Sequence, residues 1–233
     1  MKQKAITITE KLKRLSPVAI HEATLKYDLD YWSQEVRGFY NPPHIKEWYG
    51  IINQVLFRGL RRVCLIAPRD HAKSEVFVVS TVTHLARYGM ELGWKWVYIF
   101  SDTQPQANEM VDRCYTAINQ VYPELTYRML KNDVMEKKLR NGFRFMGRGA
   151  GASVRGAHPD LIIGDDVLND GNSETNQGRE KIKKWWAQTV TNMCKPTSAM
   201  ILEGTVQHEL DLLMSMKDNS SYMYKVYSAE VED

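Results

Sequence analysis

Short apolar runs bounded by turn residues alternate with longer stretches of helical period along most of this chain. Residues 63–67, 96–100, 143–146, 161–164 and 199–203 read as buried strands, because each is a brief, nearly continuous apolar run. A helix is predicted over residues 73–88, with Val76, Val79, Thr83 and Ala86 on one face. A second over 104–121 places Ala107, Met110, Val111, Cys114 and Ile118 at helical spacing. Helical stretches at 175–193 and 209–217 follow. Strands alternating with helices of this length predict an α/β fold, a mostly parallel sheet with helices on both faces.

Upstream, residues 1–38 read as a helical N-terminal arm, and residues 1–15 as a short amphipathic helix within it. Tyr40-Asn41-Pro42-Pro43 interrupts the pattern, since two prolines block helix continuation, and a helix is predicted from 44 to 60. The organisation expected is therefore the arm at 1–38 and one domain at 39–233. There is no internal repeat and no low-complexity tract.

Composition narrows the class. Hydrophobic residues make up 43% and charged residues 25%, as in an ordinary globular protein. No apolar run reaches the roughly 20 residues of a membrane-spanning helix, so no membrane partner is expected. Cys64, Cys114 and Cys194 are far apart, which argues for free thiols, small core residues in a reducing compartment. The net charge of +3 does not by itself announce nucleic-acid binding; local patches matter more than the sum.

Candidate chemistry begins at Ala67-Pro68-Arg69-Asp70-His71-Ala72-Lys73-Ser74, which follows a predicted strand and opens a predicted helix. That is the setting of a phosphate-binding loop: backbone N–H groups cradle the β- and γ-phosphates, Lys73 neutralises their charge, and the Ser74 hydroxyl holds Mg²⁺. The general pattern has glycine where this chain has Ala67 and Ala72. Alone, the string is equally compatible with an ordinary strand–turn–helix. The second element is Asp160-Leu161-Ile162-Ile163-Gly164-Asp165-Asp166, an apolar strand ending in paired carboxylates. Asp165 is placed to hold Mg²⁺ and Asp166 to orient or deprotonate the attacking water. Together they predict a P-loop NTPase of the RecA-like (ASCE) type, with ATP and Mg²⁺ as cofactors.

Further segments make a family visible. Pro42-Pro43-His44-Ile45-Lys46-Glu47-Trp48 resembles the segment ahead of the P-loop in the large terminases of tailed bacteriophages. Residues 67–74 resemble the terminase form of the phosphate loop, with Arg69 after the proline and alanine at the outer glycine position. Gly147-Arg148-Gly149-Ala150-Gly151-Ala152-Ser153-Val154-Arg155-Gly156 is similar to the family's glycine-rich loop before Walker B. Glu203-Gly204-Thr205-Val206-Gln207-His208-Glu209-Leu210-Asp211-Leu212-Leu213 resembles its coupling motif. The likeness spans about residues 40–215.

The resemblance implies a DNA-packaging motor domain acting in the host cell cytoplasm as a homo-oligomeric ring. Its implied partners are double-stranded DNA, the portal of the procapsid and a small terminase subunit. The glycine-rich loop is either a flexible surface loop or carries an arginine finger acting on a neighbour's ATP, Arg155 or alternatively Arg148; Arg69 competes for that role within its own subunit. Thr205 is a γ-phosphate sensor or a plain strand-end cap. Tyr40 and His44 contact adenine or pack in the core. Ser101-Asp102-Thr103-Gln104 either touches DNA or is a helix N-cap supplied by Ser101 or Asp102. No nuclease domain is expected within these residues, and hence no DNA cleavage. A helicase-type motor and a nucleotide-binding assembly module with little turnover are the competing readings.

Overall fold

The computed structural model describes residues 16–154 and 156–228, so the expectation for residues 1–15 and the position of Arg155 lie outside the described residues. The chain opens with α1 (Pro17–Tyr27), α2 (Leu29–Arg37) and α3 (Pro43–Phe57). Ser16 caps α1 and Asp28 caps α2, each side chain accepting from backbone N–H groups of the first turn. Gly38, at φ 69°, takes the left-handed conformation that ends α2.

Eight strands form one sheet: β1 (Arg62–Ile66), β2 (Trp96–Ser101), β3 (Lys131–Asn132), β4 (Glu136–Lys138), β5 (Arg144–Gly149), β6 (Leu161–Asp165), β7 (Ala199–Gly204) and β8 (Met223–Val226). Their order is β3-β4-β5-β2-β6-β7-β1-β8. Only β3–β4 and β4–β5 pair antiparallel. Strand β7 lies between β1 and β6, with Ile66 opposite Gly204 and Glu203 opposite Asp165. That interposed strand is the arrangement expected of the RecA-like class.

The period-two alternation of the strands sorts side chains into two layers. Val63, Leu65, Val97, Ile99, Ile163 and Ile201 face one core, shared with α3, α4 (Thr81–Leu92) and α5 (Gln104–Val121). Cys64, Ile66, Phe100, Ile162, Met200 and Leu202 face the other, beneath α8 (Asn176–Trp185) and α9 (Leu212–Ser215). Gly164 matters here: a Cβ on it would sit 2.8 Å from the Trp186 ring, so glycine is what lets that indole approach β6 closely. The arm is joined to the same core. Leu29 is fully buried, and the Trp32 Nε1 donates to the Tyr122 hydroxyl at 2.8 Å. Two short helices, α6 (Pro123–Thr126) and α7 (Asp170–Ser173), complete the set.

The helix over 104–121 is observed with those bounds, because Thr103 and Gln106 form a reciprocal capping box and Pro105 sits in the first turn. Thr103, not Ser101 or Asp102, is the cap. Other elements depart from expectation. The helix after the 67–74 loop runs through a π-helical stretch, Glu75–Ser80, before α4, and Thr81 Oγ1 donates to Val76 O across it at 3.0 Å. The long helix predicted over 175–193 is α8, then a π turn at Trp186–Val190 and a 3₁₀ turn at Thr191–Met193. Residues 209–217 are helical only from Leu212 to Ser215. The buried Asp211 carboxylate accepts from Gln207 and His208 N–H groups and so holds 207–210 as a turn, while its other oxygen accepts from Met214 N–H and caps α9. Strands β3, β4 and β8 have no counterpart in the apolar pattern. Among the described residues no helix is long and apolar enough to cross a membrane. Cys64 and Cys114 are buried free thiols, and Cys194 is a half-buried one.

Candidate active site

The C-terminal ends of β1, β6 and β7 meet at one cleft. After β1 the chain turns through Ala67–Ser74 back into a helix, and Ala67 N donates to Gly204 O at 3.2 Å. Asp70 (φ 63°) and Ala72 (φ 61°) both adopt the left-handed conformation, which costs a non-glycine residue about 1–2 kcal/mol. Ala72 thus takes the backbone shape that glycine would take without strain. Lys73 is only 5% exposed; its Nζ folds back over the loop and donates to Pro68 O at 2.9 Å and Thr205 Oγ1 at 3.2 Å. His71 Nδ1 lies 2.7 Å from Arg69 O and keeps the loop compact.

Facing the loop, Ser101, Asp165 and Glu203 lie side by side across β2, β6 and β7. Ser74 Oγ donates to Asp165 Oδ1 at 2.6 Å, which joins the loop to the acidic strand. Asp166 follows at φ 44°, so its side chain turns back toward β7 and Oδ1 accepts from Thr205 N at 3.0 Å. Gly204 permits this: a Cβ there would meet that same Oδ1 at 3.0 Å. Thr205 Oγ1 donates to Ala67 O at 3.2 Å. Thr205 therefore touches the loop, Lys73 and Asp166 at once, and also caps a strand-end carbonyl.

Burial raises the Asp166 carboxyl above the ordinary aspartate value; Lys73 opposes this and the Asp165 charge adds to it. Glu203, which the sequence reading did not assign to the site, is fully buried beside Asp165, and neither of its oxygens has a donor in hydrogen-bonding geometry. Burial, then the charge of Asp165, push it well above the ordinary glutamate value, so it holds its proton over a wider pH range. A lone acidic residue in an apolar run was the available signal.

The cleft has a volume of about 540 Å³ and is lined by Arg69, Lys73, Ser74, Asp102, Arg113 and Asp166, among others. Arg113, on α5, is a second residue that sequence reading missed. It lies 3.4 Å from Glu75, which also pairs with Arg37 of α2 at 3.0 Å. Asp102 accepts from Asn169 and is raised by burial, against that hydrogen bond. The His44 ring sits edge-on to Trp48 at 5.3 Å and to His71 at 6.1 Å, next to the loop. Tyr40 is 89% exposed and does not line the cleft. Arg148 lies on β5, in a separate groove with Trp96 and Tyr98.

The donor set suits a hard cation beside a polyphosphate: a hydroxyl and a carboxylate already in contact, the orphaned Ser101 Oγ and Glu203 oxygens beside them, and a buried ammonium opposite. Ser74 and Asp165 would hold Mg²⁺, which supplies neutralisation of phosphate charge when bound.

No family model and no curated protein matches this sequence. Among the solved structures that resemble it are two from bacteriophages. The large terminase ATPase domain of Thermus phage P74-26 is 18% identical, over 74% of this chain and 68% of that one, at a TM-score of 0.49. The large terminase of bacteriophage HK97 is 14% identical, over 84% of this chain, at a TM-score of 0.53. The chain spans about two fifths of the HK97 protein's length, 41%. At such identity the likeness speaks to architecture: the chain has the P-loop α/β fold of a bacteriophage large terminase.

Proposed function

We propose that the chain is the ATP-hydrolysing motor domain of a viral DNA-packaging terminase, residues 39–233 with the arm at 1–38. Such a motor couples hydrolysis to translocation of double-stranded DNA into a procapsid. The observation that carries the reading is the meeting of Lys73, Ser74, Asp165, Asp166 and Thr205, from three separate segments, in one hydrogen-bonded set at the mouth of the cleft. Backbone N–H groups of 69–74 would cradle phosphate, and Lys73 would follow the charge that develops on the transferred phosphoryl group. Asp166 takes the proton of the attacking water, and its raised carboxyl value makes it a better base than an ordinary aspartate. Thr205, bonded to Lys73 on one side and leading to the Asp211 turn on the other, is placed to pass loss of the γ-phosphate to α9. Arg69 would serve its own cleft, or Arg155 a neighbour's. The ring, the portal and small-subunit partners, and the host cytoplasm belong to the same proposal.

The test is steady-state hydrolysis of Mg-ATP against protein concentration. Specific activity that climbs with concentration supports a neighbour's arginine and a ring; constant specific activity supports Arg69 acting in its own subunit. One observation favours the assembly-module reading: the Asp166 carboxylate already accepts from Thr205 N, so it must share that oxygen or use the other. Tight Mg-ATP binding without turnover at any concentration would establish that module and displace the motor.

A further inference from the structure

The charge of this chain is unevenly placed. Residues 128–148 contain seven cationic residues and two anionic ones, a net +5, whereas the whole chain has a net charge of +3. This segment builds the β3–β5 edge of the sheet, far along the strand order from β1. Lys131, Lys138 and Arg144 stand directly opposite one another on three successive strands, and Trp96 of β2 completes the row. Neighbouring strands lie about 4.8 Å apart, so this is a line of three cations at close spacing.

Like charges directly opposite one another destabilise a sheet. Glu136 relieves part of the strain: it pairs with Lys131, and its Oε1 lies 2.6 Å from Arg144 Nε. Lys138, in the middle and exposed, has no carboxylate partner among the described residues, and neither does Arg148 two positions beyond Met146 on the same face. The opposite face of β4 behaves differently. Lys137 is buried there against α5, over the Tyr115 ring, and donates to Asn132 Oδ1 at 2.7 Å. Lysines on an edge strand also deter sheet-to-sheet aggregation. That accounts for Lys131 on β3, but not for Lys138 and Arg144 on inner strands.

We propose that this face of β3–β5, with Lys131, Lys138, Arg144 and Arg148, binds the phosphodiester backbone of double-stranded nucleic acid. The proposal rests on the motor reading for its biological sense and on the charge row for its location. A duplex is favoured over a single strand because the aromatic side chains beside the row offer no stacking platform. Tyr98 is buried, and the Arg144 guanidinium covers the Trp96 ring at 3.8 Å. Backbone contacts position a protein on a duplex without reading its sequence.

The experiment is equilibrium binding of a short fluorescent duplex across a salt series, for the wild-type chain, Lys138→Gln, Lys131→Gln/Lys138→Gln and Lys138→Arg. Each lost phosphate contact is expected to lower the slope of log affinity against log salt by about 0.9, hence about 1.8 for the double variant, with Lys138→Arg like wild type. Basal ATP turnover and the melting temperature should not fall, since both lysines are exposed and outside the cleft. Wild-type affinity and slope in the double variant would overturn the proposal. Tighter binding of single strands than of duplex would overturn it too. So would polyglutamate binding equal to duplex and lost in the same variants, which would assign the face to an acidic protein. If the variants lose duplex binding while the wild-type chain turns over no ATP, this surface stands and the motor reading falls. Intact turnover without duplex binding does the reverse.

Discussion

At the cleft, two of the lining cations, Lys73 and Arg113, are held by neighbouring groups. Lys73 donates to a carbonyl and a hydroxyl, Arg113 and Arg37 share Glu75, and Ser74 spans to Asp165. Along β3–β5, by contrast, Lys138 and Arg148 have no carboxylate partner among the described residues, and three cations face one another across adjacent strands. The cleft is arranged in advance, as charge that must act at a fixed point requires. The edge is compensated only in part, by Glu136, as suits a surface whose counter-charge arrives with a sequence-indifferent partner. The first should respond to pH and to single-atom changes, the second to salt.

The largest expected effect is at the cleft. Asp166→Asn removes the base while keeping the shape, and turnover should drop about 100-fold or more with Mg-ATP binding retained. In the wild type, turnover should decline as pH falls through a value above the ordinary aspartate range, because burial raises Asp166 and the base must be ionised to work. A limb at the ordinary aspartate value would separate Asp166 from the chemistry.

Glu203 comes next. Its carboxyl is raised in the folded chain, so the native state holds the proton more tightly than the unfolded state. The stability it contributes is present at low pH and is lost as pH rises through the folded value. Glu203→Gln should flatten that loss, making the variant more stable than wild type at alkaline pH in urea titrations. Identical pH profiles would show that the buried carboxyl is compensated in a way the structure does not contain.

These cases show what the sequence made legible. The alternation of apolar runs and helical periods reveals the parallel sheet and the α5 boundaries, because a buried strand and a capped amphipathic helix both leave periodic signatures. Lys73, Ser74, Asp165 and Asp166 stand out because each sits at a strand end in a recognisable string. Glu203 does not, since its role depends on β7 lying beside β6, a matter of strand order that no local pattern encodes. Arg113 is hidden for the same reason, on the polar face of an ordinary helix. Strands β3 and β4 are short and made of charged and polar residues, so hydrophobic period is silent about them, yet they carry two members of the charge row. The turn at 207–210 escapes helical prediction because one buried side chain, Asp211, outbids local propensity with two hydrogen bonds.

Smaller effects sharpen the contrast. Ala72→Gly relieves a left-handed alanine at φ 61° and should raise stability by about 1 kcal/mol in denaturant titrations. No gain would mean that the loop's strain is carried elsewhere. At the edge, Lys138→Gln should raise stability by only a few tenths of a kcal/mol (roughly the cost of one exposed like-charge pair), and the gain should shrink in high salt. A loss instead would show Lys138 to be a structural residue.

The most direct test is the steady-state turnover of Mg-ATP by the wild-type chain and by Lys73→Ala, measured at the same protein concentrations. The account predicts measurable hydrolysis in the wild type and a fall of at least about 100-fold in the variant, because the buried ammonium that reaches both the loop and Thr205 is gone. Equal turnover in the two proteins would contradict it and remove the cleft from the chemistry.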